Sequence, residues 1–344
     1  MRESTPLDPA ASYAFTSGFA AVAFSAPIFV LCAAMPRLLI ADEMHPSLFG
    51  MLDAAGFAYD YQPAIQRPEL LAVIGPFEGL LIRSKTPVDA AFLEKATRLR
   101  FIGRAGAGLD LIDEDACRRR GIRVFAANEG NRDAVAEHVL GMLLALLNHL
   151  HTADREVRQK IWRREANRGT ELGGKTVGLL GYGNNGRAFA RRLSGFNVRV
   201  LAYDKYATVD GPDAEPAPLE RIFAEADVLS LHVPLTDETH RWIDAAFIER
   251  MNKPFYLLNA ARGEIAVLAD VLAGLLRGKL LGAALDVLEN EKLAQLTPEQ
   301  EATFDALAAL PNVIFSPHVA GWTHESYVRI NEVLVEKIKS LEHG

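Results

Sequence analysis

From Arg37 to His318, short apolar, β-rich runs alternate with amphipathic stretches, and this alternation restricts the fold more than any other feature of the chain. Strands that recur with a helix between them specify a parallel sheet covered by helices. In the first part the runs are RLLIAD (37–42), FAYDY (57–61), GLLIRS (79–84), RFIGRAG (100–106) and IRVFAA (122–127). Between them lie stretches such as PSLFGMLDAAG and DLIDEDACRRRG, each closing at a glycine, as helices commonly do. A second series follows: KTVGLLGYG (175–183), NVRVLAYD (197–204), DVLSLHVP (227–234), FYLLNAA (255–261), LGAALDV (281–287) and NVIFSPH (312–318). Two such series in 344 residues predict two doubly wound α/β domains.

Between the series, residues 132–162 are expected to form one long helix, apolar on more than one side around Val139 to Leu147, that links the two domains. The closing stretch HESYVRINEVLVEKIKSLEHG is too short for a domain of its own and must pack back onto an existing core. These readings divide the chain into 35–128 with 316–344, and 129–315. Residues 1–34 stand apart, because no charged residue occurs from Pro9 to Pro36. Arg2 and Glu3 cancel, so the positive start of a signal peptide is missing, and Gly18 and Pro27 interrupt a membrane span. Three readings remain: an over-extended start with Met35 as the true one, a signal or anchor, or an arm outside the fold.

Composition narrows the partners. The chain is 49% hydrophobic and 24% charged, ordinary for a globular protein, and its formal charge of -7 comes without a basic block. That argues against nucleic acid and anionic membranes and for a small-molecule partner. Cys32 and Cys117 provide neither a disulfide framework nor metal-ligand spacing, which suits a reducing, cytoplasmic compartment.

Gly181, Gly183 and Gly186 form G-Y-G-N-N-G directly after TVGLL and directly before RAFARRLSG. The first glycine permits a tight turn, the second lets backbone approach a pyrophosphate, and the third lets helix and strand pack closely. The helix N-terminus adds free N–H donors for the anion. Asp204 ends the next run, 21 residues after Gly183, where a carboxylate accepts from both ribose hydroxyls and repels a 2′-phosphate. An ordinary glycine turn is the alternative for such a motif alone; strand, helix and acid together favour a dinucleotide, and NAD over NADP.

Oxidising or reducing a carbon that bears oxygen beside a carboxylate needs a proton carrier, a cation for the carboxylate and a hydride carrier. His318, in FSPHVAG, follows an apolar run, and an imidazole can shuttle a proton in either direction. Glu291, in DVLENEK, can orient the ring and favour its protonated form. Arg262, in LLNAARGE, offers a planar fork suited to a carboxylate. Singly, each also reads as an ordinary surface residue.

Together, NAARG, the ALDV run with its glutamate, and SPHVAG resemble, in order, the arginine, glutamate and histidine segments of the D-isomer-specific 2-hydroxyacid dehydrogenase family. The resemblance extends from about Met35 to the C-terminus. It implies a flavodoxin-like substrate domain (35–128 with 316–344) beside an NAD-binding Rossmann domain (129–315), with Arg262, Glu291 and His318 catalytic and NAD the cofactor. It further implies that Gly181, Gly183, Asn184, Asn185 and Gly186 hold the pyrophosphate and Asp204 the adenosine ribose. His232 and Pro234 then line the cofactor channel. Ala260, Arg262 and Asp286 lie near the nicotinamide with His318 and Gly321, Asp286 being the candidate contact to its carboxamide.

Within the family, IRSKT, GRAGAG and GNRDAVAEH resemble short-form D-3-phosphoglycerate dehydrogenases of serine biosynthesis. That implies substrate contacts at Arg83, Ser84, Lys85, Ala107, Gly108, Asn131 and Arg132, of which Arg83, Lys85, Asn131 and Arg132 are either phosphate ligands or a carboxylate loop plus exposed charges. Hydroxypyruvate or glyoxylate reduction, formate dehydrogenation and NADH sensing without turnover are the other activities this fold admits. Lys292 stands where the family usually has proline, followed by an apparent helical insert, which makes the loop of Glu291 the least secure part of the set. Trp322 either closes the substrate pocket or simply packs. Only 26 residues follow His318, so no further regulatory domain is expected. The long apolar helix supports either a homodimer or burial within the monomer.

Overall fold

The computed structural model describes residues 36–342; the expectations for residues 1–34 lie outside them. The first five runs form strands β1 (Arg37–Ile40), β2 (Ala58–Tyr61), β3 (Gly79–Ile82), β4 (Phe101–Arg104) and β5 (Arg123–Ala126), parallel and in the order β2-β1-β3-β4-β5. This is the flavodoxin-like order. Helices α1 (Ser47–Ala54), α2 (Arg67–Val73), α3 (Ala90–Lys95) and α4 (Glu114–Arg119) connect them. Asp89 and Asp113 cap α3 and α4 by accepting from the backbone N–H of Phe92 and Ala116.

Alternation along each strand sends neighbours to opposite faces. Leu39, Leu80, Ile82 and Ile102 meet Leu70, Phe92 and Leu93 on one face. Leu38, Ile40, Leu81 and Phe101 meet Leu48 and Leu52 of α1 on the other, together with Ile330, Leu334 and Ile338. Those last three belong to the C-terminal helix α12 (His324–Lys339), so the closing segment packs on the first sheet.

The second sheet contains β6 (Thr176–Leu180), β7 (Arg199–Tyr203), β8 (Glu215–Pro216), β9 (Val228–Leu231), β10 (Phe255–Asn259), β11 (Leu280–Leu285) and β12 (Val313–Phe315). Its order is β12-β11-β10-β9-β6-β7-β8, and its pairs are parallel. From β6 the chain winds outward to β8, then returns to place β9 on β6's other side. That reversal is the Rossmann switch point, where a crevice opens beyond the carboxyl ends of the strands. The pair β8, ending in a proline, was too short to be expected. The insert after Lys292 is helical: α11 (Pro298–Ala309) starts from a capping box between Thr297 and Gln300.

The linking helix differs from expectation. It is two helices, α5 (Asn128–Leu147) and α6 (Leu150–Arg158), and residues 159–162 lie beyond both. His149 takes a left-handed backbone, φ 53°, and the Asn148 side chain donates to the Leu144 carbonyl, which ends α5. The apolar pattern runs on through Leu150 and hides the break. Val139, Leu143, Leu146 and Leu147 of α5 join Phe189 and Leu193 of α7 (Asn184–Leu193) in the core of the second sheet. The start of α5 lies against α12. Among the described residues, no helix is long and apolar enough to cross a membrane.

Where α5 meets α12, a Cβ on Gly130 would lie 2.6 Å from the Ile330 Cα and 2.7 Å from its nitrogen. Gly130→Ala gains about 1 kcal/mol of helix propensity but incurs about 1–3 kcal/mol of overpacking against backbone. The expected outcome is a lower urea midpoint; a higher one would contradict this close approach.

Candidate active site

The glycine loop lies at the switch point. Gly181 follows β6 with φ 96°, and a Cβ on it would lie 2.5 Å from the His232 carbonyl oxygen at the end of β9. A Cβ on Gly186 would collide with the Gly181 carbonyl, while one on Gly183 would meet nothing within 4 Å. The loop is thus closed on its inner side and open where an anion approaches. Gly183 starts α7 without a side-chain cap, so the first-turn N–H groups stay available. The Asn185 Oδ1 is buried without a hydrogen-bond partner.

Asp204 stands at the end of β7. Its Oδ2 accepts from the Tyr182 N–H at 2.7 Å, and its Oδ1 accepts from those of Tyr206 at 2.8 Å and Ala207 at 2.7 Å. Burial alone would raise its pKa, but these three donors and nearby Arg187 bring it below the usual aspartate value. An open anion cradle, an unpartnered amide oxygen and an ionised strand-end carboxylate fit a dinucleotide.

His318, half-exposed, follows β12 with a left-handed backbone, φ 54°. Its Nδ1 lies 2.9 Å from Glu291 Oε1 and 3.1 Å from Oε2. Lys292 therefore does not keep Glu291 from the ring. Nδ1 is engaged, and Nε2 is the nitrogen left for a substrate.

Asp286, 1% exposed, holds the backbone of this loop. Its Oδ1 accepts from Ser316 Oγ at 2.5 Å and the Val319 N–H at 2.9 Å, its Oδ2 from the Ala320 N–H at 2.9 Å. The Asp286 carbonyl accepts from the His318 N–H at 2.7 Å. Asp286 also borders the cleft, so the carboxylate that braces this loop belongs to the lining of the site.

Arg262 follows β10 in a turn braced by the buried Asn259, whose side-chain amide donates to the Arg262 carbonyl and accepts from the Ala261 N–H. Its Nε and Nη2 donate to Asp110 Oδ2 at 3.1 and 2.8 Å, and its Nη1 to the Ala261 carbonyl at 2.7 Å.

A cleft of about 380 Å³ brings these elements together. Arg83, Ser84, Arg104, Ala107 and Asn131 line it from one side; Asn185, Ala260, Arg262, Asp286 and His318 from the other, with Gly321 and Trp322. Gly108 abuts Arg262, leaving its Nη2 the space a Cβ would take. His232, at the end of β9, shares a hydrogen bond of 2.9 Å with Ser230 Oγ, and Pro234 beyond it is exposed. Three expected contacts, Lys85, Gly108 and Arg132, are absent from the lining. The Lys85 ammonium donates to the Pro63 and Ile65 carbonyls at 2.6 and 3.1 Å, so it is turned to its own lobe. Arg132 lies beside Asp133 at 3.9 Å, outside the cleft. Trp322 lines the cleft and also packs: the Arg83 guanidinium carbon is 4.0 Å from its ring centroid and 5.0 Å from that of Tyr327.

Three contributors were missed. Asp42, 2% exposed, shapes the IRSKT loop: its Oδ2 accepts from the N–H groups of Arg83, Ser84 and Lys85, its Oδ1 from Thr86 Oγ1. Like Asp204 it is a strand-end acid, and that was its only signal. Arg104, within the quoted RAGAG, lines the cleft, and no hydrogen bond or ion pair engages its guanidinium among the described residues. Burial, then Arg262, lowers its pKa to about 10, which leaves it a cation at neutral pH. Asp110, two residues beyond the expected contact Gly108, gave no signal until its partner Arg262 was placed.

A Rossmann sheet whose glycine loop opens onto a cleft shared with a second parallel sheet defines a dinucleotide-binding α/β protein. Residues 140–320 match the sequence profile of the D-isomer specific 2-hydroxyacid dehydrogenase NAD binding domain, and the chain belongs to that family, with NAD as its cofactor. The chain is 33% identical over 311 residues to a D-3-phosphoglycerate dehydrogenase of Archaeoglobus fulgidus, covering 90% of this chain but 58% of that relative. It therefore spans less than two thirds of that protein's length. A hydroxypyruvate reductase of Thermotoga maritima is 35% identical over 278 residues, 80% of this chain and 88% of that one. A D-lactate dehydrogenase structure from Aquifex aeolicus, complexed with NAD and lactic acid, superposes with a TM-score of 0.74 at 27% identity, covering 90% and 96% of the two chains.

Burial pushes the His232 pKa from 6.5 down to about 4. Between these values the unfolded chain holds a proton that the folded chain lacks, so stability is intact above 6.5 and falls as pH drops towards 4. The melting temperature is expected to fall across that window less steeply in His232→Gln than in the parent. Equal slopes would rule His232 out as the source.

Proposed function

We propose that the chain is an NAD-dependent D-2-hydroxyacid dehydrogenase in which Arg262, Glu291 and His318 are the catalytic set. The observation that carries this is the 2.9 Å contact between His318 and Glu291 in a cleft also lined by Arg262. The proposed substrate domain is 35–128 with 316–344 and the NAD domain 129–315, a division supported by the packing of α12 on the first sheet. Gly181, Gly183, Asn184, Asn185 and Gly186 cradle the pyrophosphate, Asp204 accepts from the ribose, and His232, Pro234, Ala260, Asp286 and Gly321 line the rest of the cofactor site.

When bound, NAD supplies the acceptor for hydride from the hydroxyl-bearing carbon. In that direction neutral His318 takes the hydroxyl proton on Nε2, and Glu291 at Nδ1 stabilises the resulting imidazolium. Arg262 receives the carboxylate and polarises the adjacent oxygen. Reduction reverses these roles and starts from protonated His318, so its pH optimum lies lower.

The substrate proposed is D-3-phosphoglycerate, which would place the reaction in serine biosynthesis. Arg83, Arg104 and Arg262 present three cations to one cleft, more than a single carboxylate needs, and Arg104 lacks an acceptor. With Lys85 and Arg132 turned elsewhere, Arg83, Arg104 and Asn131 are the groups for a phosphate. Hydroxypyruvate reduction is the second reading, favoured by the even coverage of the Thermotoga maritima relative. We assign the protein to the cytoplasm, in keeping with the free buried Cys117.

Reduced-nicotinamide absorbance with 3-phosphoglycerate, hydroxypyruvate and glyoxylate tests the reading. Turnover is expected with at least one, and His318→Asn should lower kcat about a hundred- to ten-thousandfold while NADH affinity is unchanged. Tight NADH binding with no turnover of any acid would overturn it.

A homodimer is the proposed assembly. Leu150, Val157, Ile161 and Trp162 are exposed apolar residues on and just beyond α6, Trp162 by 77%. Sedimentation velocity is expected to give a dimer that Trp162→Glu converts to monomer; a monomeric parent protein would refute the assembly.

A further inference from the structure

We propose that Asp110 is a positioning residue: from the first sheet's side of the cleft it holds the side edge of Arg262, so that the end of the guanidinium is presented to the substrate. This rests on the reading that Arg262 receives a substrate carboxylate.

A guanidinium has five N–H groups. Asp110 Oδ2 takes one from Nε and one from Nη2, and the Ala261 carbonyl takes one from Nη1. For a single oxygen to accept from both Nε and Nη2, the Nη2 hydrogen used must lie on the same edge as that of Nε. One N–H then remains on each terminal nitrogen, two donors for the two oxygens of a carboxylate. Asp110 therefore does not compete for the end that a substrate would use.

Two further observations support the arrangement. Gly108, two residues before Asp110, leaves the space in which Arg262 Nη2 sits, so the 108–110 loop is shaped around this guanidinium. Arg104 and Arg83 also line the cleft, and the interaction between Arg262 and Arg104 is repulsive. Asp110 acts on both: burial opposes its ionisation, but the hydrogen bond and charge of Arg262 and the charge of Arg104 bring its pKa below the usual aspartate value. Without this carboxylate, Arg262 would lose its anchor and face an uncompensated cation.

Asp110→Ala and the near-isosteric Asp110→Asn test the role in the intact protein, with NADH present throughout. Hydroxypyruvate reduction gives kcat and KM; oxalate, a dicarboxylate that undergoes no hydride transfer, gives a dissociation constant from NADH fluorescence. The Ala variant is expected to raise KM and the oxalate dissociation constant about tenfold or more, the loss of one charge-assisted contact, and to lower kcat. The Asn variant should fall between, keeping an acceptor but not the charge. NADH affinity and the unfolding midpoint should stay close to those of the parent.

Unchanged constants in both variants would overturn the positioning role, as would a lower KM, which would mean that Asp110 competes with substrate. A loss of NADH affinity and stability in step with the other constants, in the Asn variant as well, would mark a merely structural role and also overturn it. A parent protein that neither reduces hydroxypyruvate nor binds oxalate would overturn the reading of Arg262 itself, and this inference with it. An active parent indifferent to Asp110 overturns the inference alone.

Discussion

The buried carboxylate of Asp286 is the constraint on which the geometry of the cleft depends. It gathers Ser316, Val319 and Ala320 onto its two oxygens, and its carbonyl takes the N–H of His318. His318 needs this support because its backbone is left-handed, which costs a residue with a Cβ about 1–2 kcal/mol. A hydrogen bond to a charged group contributes about 1.5–3 kcal/mol. One or two of these bonds outweigh the strain; the rest work against the desolvation of the carboxylate. An aspartate there thus supports the ring from beneath the loop.

The same device recurs. Asp42 beyond β1 collects the N–H groups of Arg83, Ser84 and Lys85, and Asp204 beyond β7 those of Tyr182, Tyr206 and Ala207. Each stands just past the carboxyl end of a parallel strand, where the chain must turn out of the sheet and its amides lose their ladder partners. A short acid placed there satisfies several donors at once and fixes the loop's shape. Loops that border the cleft are then braced without being buried.

This explains which features were legible in the sequence. Period-two apolar runs, the glycine loop and Asp204 are local patterns, and the two sheets follow from them. The helix break at His149 was hidden because the buried Leu146 and Leu147 are followed by the apolar though exposed Leu150, which keeps the pattern intact while the backbone reverses hand. Lys85 and Arg132 stayed open between anion ligands and exposed charges because a sequence shows a charge but not its direction: the Pro63 and Ile65 carbonyls accept from one ammonium, and the other side chain lies outside the cleft lining. Arg104 and Asp110 were illegible for the converse reason. Their meaning comes from Arg262, which is 152 residues from Asp110 and follows a strand of the other sheet.

The loop of His318 is gripped from both sheets. Asp286 ties it to the end of β11, while Trp322, four residues beyond His318, stacks under the Arg83 guanidinium that follows β3. Between them α12 leaves the loop and packs on the first sheet, crossing α5 at Gly130, where no side chain keeps the helices apart. A shift in the spacing of the two sheets would therefore load the His318 loop at its far end while Asp286 holds the near one. A side chain at Gly130 would have to displace the Ile330 backbone, so the closeness of this crossing rests on that glycine. The helix crossing and the lining of the cleft thus meet in one segment, since α12 begins six residues after His318 and packs on the sheet that carries Arg83.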